Sequence, residues 1–164
     1  MDHPLEHNLF RSKDAEKREL DKLSFEDYDD LRRASEVHRQ TRKHAQNWIK
    51  PGMKLMDICN EIEATNRRLI EENGLQAGIA FPTGASINHC AAHYTPNLGD
   101  ETILNKGDVM KIDYGSHVKG LMTDCAFTVA FDPVYDNLIQ AVKDATETGI
   151  KAAGIDVRMT DIGE

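Results

Sequence analysis

The stretch Val109-Met110-Lys111-Ile112-Asp113-Tyr114-Gly115-Ser116-His117-Val118-Lys119-Gly120-Leu121-Met122-Thr123-Asp124-Cys125-Ala126-Phe127-Thr128-Val129-Ala130-Phe131 decides how the chain is read. It is rich in Val, Ile, Phe, Tyr and Thr, its polarity alternates, and Gly120 follows a polar tip near His117, so it predicts two strands joined as a β-hairpin. Side chains alternate across a strand. Met110, Ile112 and Tyr114 therefore share one face of the first strand, and Cys125, Phe127, Val129 and Phe131 share one face of the second. Asp113 and Asp124 fall on the opposite, non-apolar side. A two- or four-residue loop centred between Val118 and Lys119 sets the two aspartates directly opposite each other, whereas a three-residue loop with a bulge at Gly120 offsets them.

Two ionised carboxylates opposed in a sheet repel each other unless a cation compensates. Divalent ions such as Mn, Co, Fe or Zn accept carboxylate oxygens, and a pair of ions about 3.5–4 Å apart needs a bridging carboxylate. The plain alternative is two solvated carboxylates on an open sheet face.

Outward from the hairpin, Leu31, Ala34, Val37, Ala45, Trp48 and Ile49 recur at helical spacing before Pro51-Gly52, which predicts an amphipathic helix over Asp27–Ile49. A second helix is read over Met56–Glu72, with Ile58, Ile62 and Leu69 on one stripe and Asn73-Gly74 as its C-terminal cap. After Gly78 the chain turns irregular and small or polar, as in short strands joined by functional loops. Downstream, Asp132-Pro133 reads as an N-cap and first helical position of a third helix reaching about Ala153, with Leu138, Val142, Ala145 and Gly149 on one face. Asp161 and Glu164 are spaced like a capping box, so the sequence stops inside an apparent helix start, as in a fragment or a truncated gene model.

Length and composition bound the possibilities. The 164 residues suffice for one domain. Residues 1–26 are dense in mixed charge and read as an arm without chemistry, ahead of a domain over 27–164. With 28 acidic against 20 basic residues the net charge is -8, which opposes phosphate attraction and disfavours a nucleic-acid partner. Cys59, Cys90 and Cys125 are odd in number and lack C-x-x-C spacing, which fits neither a disulfide framework nor a thiolate zinc site. No apolar run approaches a membrane span and the N-terminus lacks a signal peptide's regions, so a cytosolic protein is expected.

The run Lys111-Ile112-Asp113-Tyr114-Gly115, with Asp124-Cys125-Ala126-Phe127-Thr128-Val129 beginning eleven residues after Asp113, resembles the metal-binding hairpin of the methionine aminopeptidases. Ala80-Phe81-Pro82-Thr83-Gly84 and Asn88-His89-Cys90-Ala91-Ala92-His93-Tyr94-Thr95-Pro96-Asn97 are similar to the type 2 form of that family. The likeness continues through Lys143–Lys151 to Asp156-Val157-Arg158. It implies an α/β (α+β) pita-bread fold, of which this chain would be the N-terminal half.

The resemblance also implies a function. A centre of two divalent ions (Co, Mn, Zn or Fe) would remove the initiator methionine from nascent polypeptides with a small second residue, by attack of a metal-bound hydroxide, in a cytosolic, ribosome-associated setting. Asp113 would chelate one ion and Asp124 would bridge both. His93 would contact substrate at the scissile bond, and Phe81 would wall the methionine pocket, where a thioether packs well on an aromatic ring. Read without the resemblance, Phe81 is a core residue and His93 a loop histidine. His89 and His117 receive surface or supporting roles. The family's other three ligands, a His and two Glu, lie beyond Glu164, so the 164-residue chain alone is expected to be inactive and poorly soluble. The alternative is a non-catalytic binding protein resembling the proliferation-associated proteins. The aminopeptidase P and prolidase type shares the hairpin logic but not the Ala91–Pro96 run.

Overall fold

The computed structural model describes residues 25–164. The expected charged arm lies outside the described residues except for its last two positions, which begin a helix. The described residues fall into two units, one ending at Asp132 and the other beginning at Pro133.

In the first unit, α1 (Phe25–Trp48) and α2 (Leu55–Ile70) precede β1 (Ala77–Ile79), β2 (Gly84–Ile87), β3 (Val109–Val118) and β4 (Leu121–Ala130). Ala34, Val37, His38, Thr41 and Ala45 line the buried face of α1, recurring every three or four residues. Leu55, Ile58, Cys59 and Ile62 do the same on α2. The left-handed residue that ends α2 is Glu71, with φ 59, and its backbone N–H donates to the carbonyls of Arg67 and Arg68. The cap expected at Asn73-Gly74 therefore falls two residues late: the chain turns as soon as Ile70 is buried, and Asn73 instead bridges to Ala77.

All sheet pairings are antiparallel and centred on β3. β1 pairs with its C-terminal residues and β2 with its N-terminal residues, while β4 runs along its whole length. The core forms where α1 and α2 cover this sheet. Ala45, Ile49, Leu55, Ile58, Cys59 and Ile62 meet Ala85, Leu104, Met110, Ile112 and Tyr114, with Phe127, Val129 and Phe131 partly buried against them. A smaller cluster joins Ala34, Val37, Ile70, Ala77 and Val118, with Leu69 packed against it. The apolar faces expected of the hairpin are thus the faces under the helices, except that Cys125 is exposed.

The hairpin turn differs from the expected one. Val118 pairs with Leu121 across a two-residue tip, Lys119-Gly120, in which both residues have positive φ (49 and 84). Such paired left-handed residues match the twist of the strands, and glycine takes the second position without a steric penalty. The turn centre lies one residue further along than expected, which shifts every cross-strand partner by two.

In the second unit a 3-10 turn, Pro133–Tyr135, leads into α3 (Asp136–Ala152), and α4 spans Met159–Gly163. Proline thus opens a preliminary turn, and Tyr135 occupies the N-cap of the helix proper. Leu138 and Val142 of the expected stripe stay more than half exposed. The expected capping box is absent as well: Arg158 holds the N-cap of α4 with no side-chain capping bond to the helix's first backbone N–H groups, and Asp161 lies inside the helix, ion-paired to Arg158.

Candidate metal centre

The two-residue shift reorganises the carboxylate pair. Asp113 is partnered by Ala126, and Asp124 by Gly115. The aspartates are diagonal neighbours on one face rather than directly opposed, a spacing of about 7–8 Å between such backbone positions that acidic side chains can span by leaning together. Asp113 and Asp124 do lean together. Burial pushes the Asp113 carboxyl above the usual carboxylate range, the Asp124 charge and a hydrogen bond to Asp124 push it further, and the charges of His93 and His38 pull it back. Two carboxylates gathered on one face repel each other, and a divalent ion between them removes that repulsion.

The surroundings fit such an ion. Asp113 lies between Gly84 on β2 and Ala126 on β4, while Asp124 faces Gly115. No side chain larger than a methyl group crowds the pair from these positions, and glycine inside a strand commonly marks close approach by another group. Asp113 Oδ1 is buried without a hydrogen-bond partner. An unsatisfied buried carboxylate oxygen is costly, and hard divalent cations take such oxygens as ligands. The described residues supply this pair and no group of three metal-ligating side chains.

His93 reaches the site from the loop after β2. Ala85 N–H donates to the carbonyl of Tyr94 at 2.7 Å, and Tyr94 N–H donates to Ser86 Oγ at 3.1 Å, which ties the loop back onto β2 beside the Gly84–Asp113 pairing. His93 is exposed, with φ 65. Left-handed backbone at a non-glycine residue carries strain that clusters at functional sites. At the loop's start Asn88, also left-handed, donates through Nδ2 to Asp108 Oδ1 and accepts from Val109 N–H at Oδ1, so the loop and β3 begin from one anchor. His89 is exposed, and His117 Nδ1 accepts a long bond from Gly120 N–H, so neither joins the pair.

Phe81 is half-buried, and its ring lies over Gly115. The structure therefore brings Phe81, His93, Asp113 and Asp124 to one side of the hairpin. Three contributors escaped the sequence reading. Gly115 provides the space for Phe81. Asn66 is buried and donates to the Gly115 carbonyl at 3.1 Å while accepting from Ser116 Oγ at 3.0 Å, holding the strand from behind. His38 sits beneath both aspartates on the helix side. Its signal was a histidine at an inward helical position between Ala34 and Ala45.

The helices over a β3-centred antiparallel sheet define the aminopeptidase-like half of a pita-bread fold, and residues 29–164 match metallopeptidase family M24. The chain belongs to that family. Among curated relatives, Methionine aminopeptidase 2 of Schizosaccharomyces pombe is 62% identical over 159 residues, covering 97% of this chain and 37% of that protein. Methionine aminopeptidase 2A of Arabidopsis thaliana is 56% identical over 156 residues, covering 95% and 35%. The chain thus spans little more than a third of these relatives' length. Among solved structures, a dipeptidase from Pyrococcus horikoshii OT3 superposes with TM-score 0.65 at 28% identity, over 79% of this chain and 35% of that one. The Pseudomonas aeruginosa aminopeptidase PepP reaches TM-score 0.71 over 85% of this chain and 31% of that one, at 19% identity, a likeness of fold alone.

Proposed function

We propose that the protein carrying this chain is a methionine aminopeptidase of the type 2 kind, removing the initiator methionine from nascent polypeptides with a small second residue. The observation that carries this reading is the Asp113–Asp124 pair, gathered on an uncrowded face with one buried carboxylate oxygen unsatisfied. In this reading Asp113 and Asp124 would both hold divalent metal, with the remaining ligands supplied elsewhere in the protein. Cobalt, manganese, zinc and iron all suit the carboxylates. The ions would supply a lowered pKa for water and a polarised scissile carbonyl. His93, carried on the strained loop beside Asp113, hydrogen-bonds the substrate amide or the oxygen on which charge develops. Phe81 packs against the methionine thioether.

The high identity to the two methionine aminopeptidases supports the substrate. The clustering of Asp113, Asp124 and His93 favours catalysis over a purely binding role for the fold. We place the protein in the cytosol near emerging chains, in keeping with three free cysteines and with described helices that are none of them long and apolar enough to cross a membrane.

The test is methionine release from a Met-Ala-Ser peptide by the complete gene product, stripped of metal and reloaded with each of the four ions. Release is expected with at least one ion. Asp113→Asn and Asp124→Asn should each reduce it at least about 100-fold, because even groups outside a metal's own ligands cost 10–100-fold when lost. Absence of release with all four ions, or an Asp113→Asn enzyme as active as the original, overturns the proposal.

A further inference from the structure

His38 is 3% exposed, on the face of α1 that packs against the hairpin. Its Nε2 lies 3.0 Å from the carbonyl oxygen of Tyr114 and 3.1 Å from that of Cys125. These two residues are cross-strand partners, and each immediately follows one of the paired aspartates. Carbonyls only accept, so Nε2 carries the proton and shares it between the strands. Burial holds the imidazole below its ordinary pKa, which leaves the neutral ring with its hydrogen at Nε2.

The ring cannot easily swing away. It stacks on the Tyr114 ring with centroids 4.1 Å apart and planes 2° from parallel. The Tyr114 hydroxyl in turn donates to the backbone carbonyl of His38 at 2.7 Å. Side chain and backbone of His38 are therefore both tied to the residue after Asp113, and the side chain also to the residue after Asp124. Ser35, one turn earlier on α1, adds a hydroxyl contact to Thr123 at 2.9 Å, on the other side of Asp124.

We propose that His38 is a positioning residue for the metal centre: its single Nε2–H, divided between the carbonyls of Tyr114 and Cys125, sets the separation and tilt of the two strands from which Asp113 and Asp124 project on the far side. The inference rests on the reading of Asp113 and Asp124 as metal ligands. Diagonally placed carboxylates need a defined strand geometry to address the same ions, and the main-chain ladder, which fixes register, leaves the twist between the two strands variable. Groups that orient metal ligands without touching the metal govern affinity by about 10–100-fold.

The test uses the complete gene product. His38→Phe keeps a flat ring against Tyr114 and removes the donor. His38→Gln keeps a donor close to the Nε2 position, and His38→Asn carries one too short to reach both carbonyls. Titration calorimetry with Mn should show dissociation constants raised about 10-fold or more for His38→Phe and His38→Asn, and within about threefold of the original for His38→Gln. kcat should fall with the metal affinity while KM at saturating metal stays within about twofold, since the substrate pocket is untouched.

Metal affinity unchanged in His38→Phe, or equal losses in His38→Gln and His38→Asn, overturns the inference. A nitrogen-15 spectrum of the histidine-labelled original protein, with His38 assigned through its contacts to the Tyr114 ring, provides a readout that needs no variant to fold. It should show a neutral Nε2–H tautomer, and an Nδ1–H tautomer overturns the inference. Metal binding abolished by Asp113→Asn but indifferent to His38→Phe defeats this inference alone. Binding indifferent to Asp113→Asn defeats the proposed function instead.

Discussion

Gly115 lies directly under the ring of Phe81: a Cβ on Gly115 would stand 2.6 Å from Phe81 Cε1 and 2.8 Å from Ala80 Cβ. Both contacts are shorter than packed atoms tolerate, and Ala80 belongs to a backbone segment whose N–H donates to the Gly115 carbonyl at 2.9 Å. Gly115→Ala should therefore push the Phe81 segment off the sheet and destabilise the complete protein by about 1–3 kcal/mol, the usual cost of overpacking. Urea unfolding measures this. It should be accompanied by a raised KM for methionyl peptides if Phe81 walls their pocket, and an unaltered unfolding midpoint would show that the segment moves freely.

Asp113 carries the opposite expectation, a substitution that stabilises. Its folded carboxyl binds a proton more tightly than the same group in the unfolded chain, because of burial and then Asp124. The sign follows: above the folded pKa the charged form costs the metal-free fold stability, and that cost disappears as pH falls through the raised value. In chelator at neutral pH, Asp113→Asn should raise stability by about 0.5–1 kcal/mol, the scale of a relieved like-charge contact in a sheet. The same variant should bind Mn poorly. A lower melting temperature for the metal-free variant would contradict this.

His38 predicts acid sensitivity. Its pKa is lowered chiefly by burial and further by the Arg42 charge, against the carbonyls of Tyr114 and Cys125 and the Asp124 charge. The unfolded chain then takes up a proton at about pH 6.5 that the folded chain refuses. Stability is complete above that pH and declines as pH falls toward the depressed folded value, by at most 1.36 kcal/mol per pH unit for one proton. Denaturation of the metal-free protein at pH 7.5 and pH 5.5 should show a loss that is smaller in His38→Gln, and equal losses in both would assign the acid sensitivity to other groups.

The three cysteines should separate by reactivity. Cys59 is 4% exposed in the core, and burial pushes its thiol up to about 12. Cys125 is exposed and Cys90 partly so. Thiolates are the reactive species. Iodoacetamide at pH 8 followed by peptide mass mapping should label Cys125 and Cys90 within minutes and Cys59 only after denaturant is added. Early labelling of Cys59 would mean that α2 opens locally.

The helices, the hairpin and its two faces were legible because each depends on local periodicity. Ala34, Val37 and Ala45 recur at helical spacing, and Met110, Ile112 and Tyr114 at strand spacing, and all are buried as expected. Register was not legible. Whether Asp113 meets Asp124 or Ala126 depends on which two residues adopt left-handed backbone at the tip, and Lys119 gives no hint of doing so. The site's small residues were equally silent. Gly84, Gly115 and Ala126 matter through what they leave open, and an open space has no periodicity. His38 and Asn66 were missed for a related reason: their partners are backbone carbonyls far along the chain, at Tyr114, Cys125 and Gly115, and carbonyls leave no mark in a sequence.

The tip Lys119-Gly120 stands four residues from Asp124 and six from Asp113, yet it sets the phase of the return strand. One residue inserted there would roll every side chain of β4 through half a turn, sending Asp124 beneath the helices to face Tyr114 and Thr123 into its place opposite Gly115. Two residues would restore the facing but slide the carboxylates along the ladder. Length variation at this exposed turn is thus quantised, and a change far from any chemistry and harmless to the pairing of the strands would still extinguish the site.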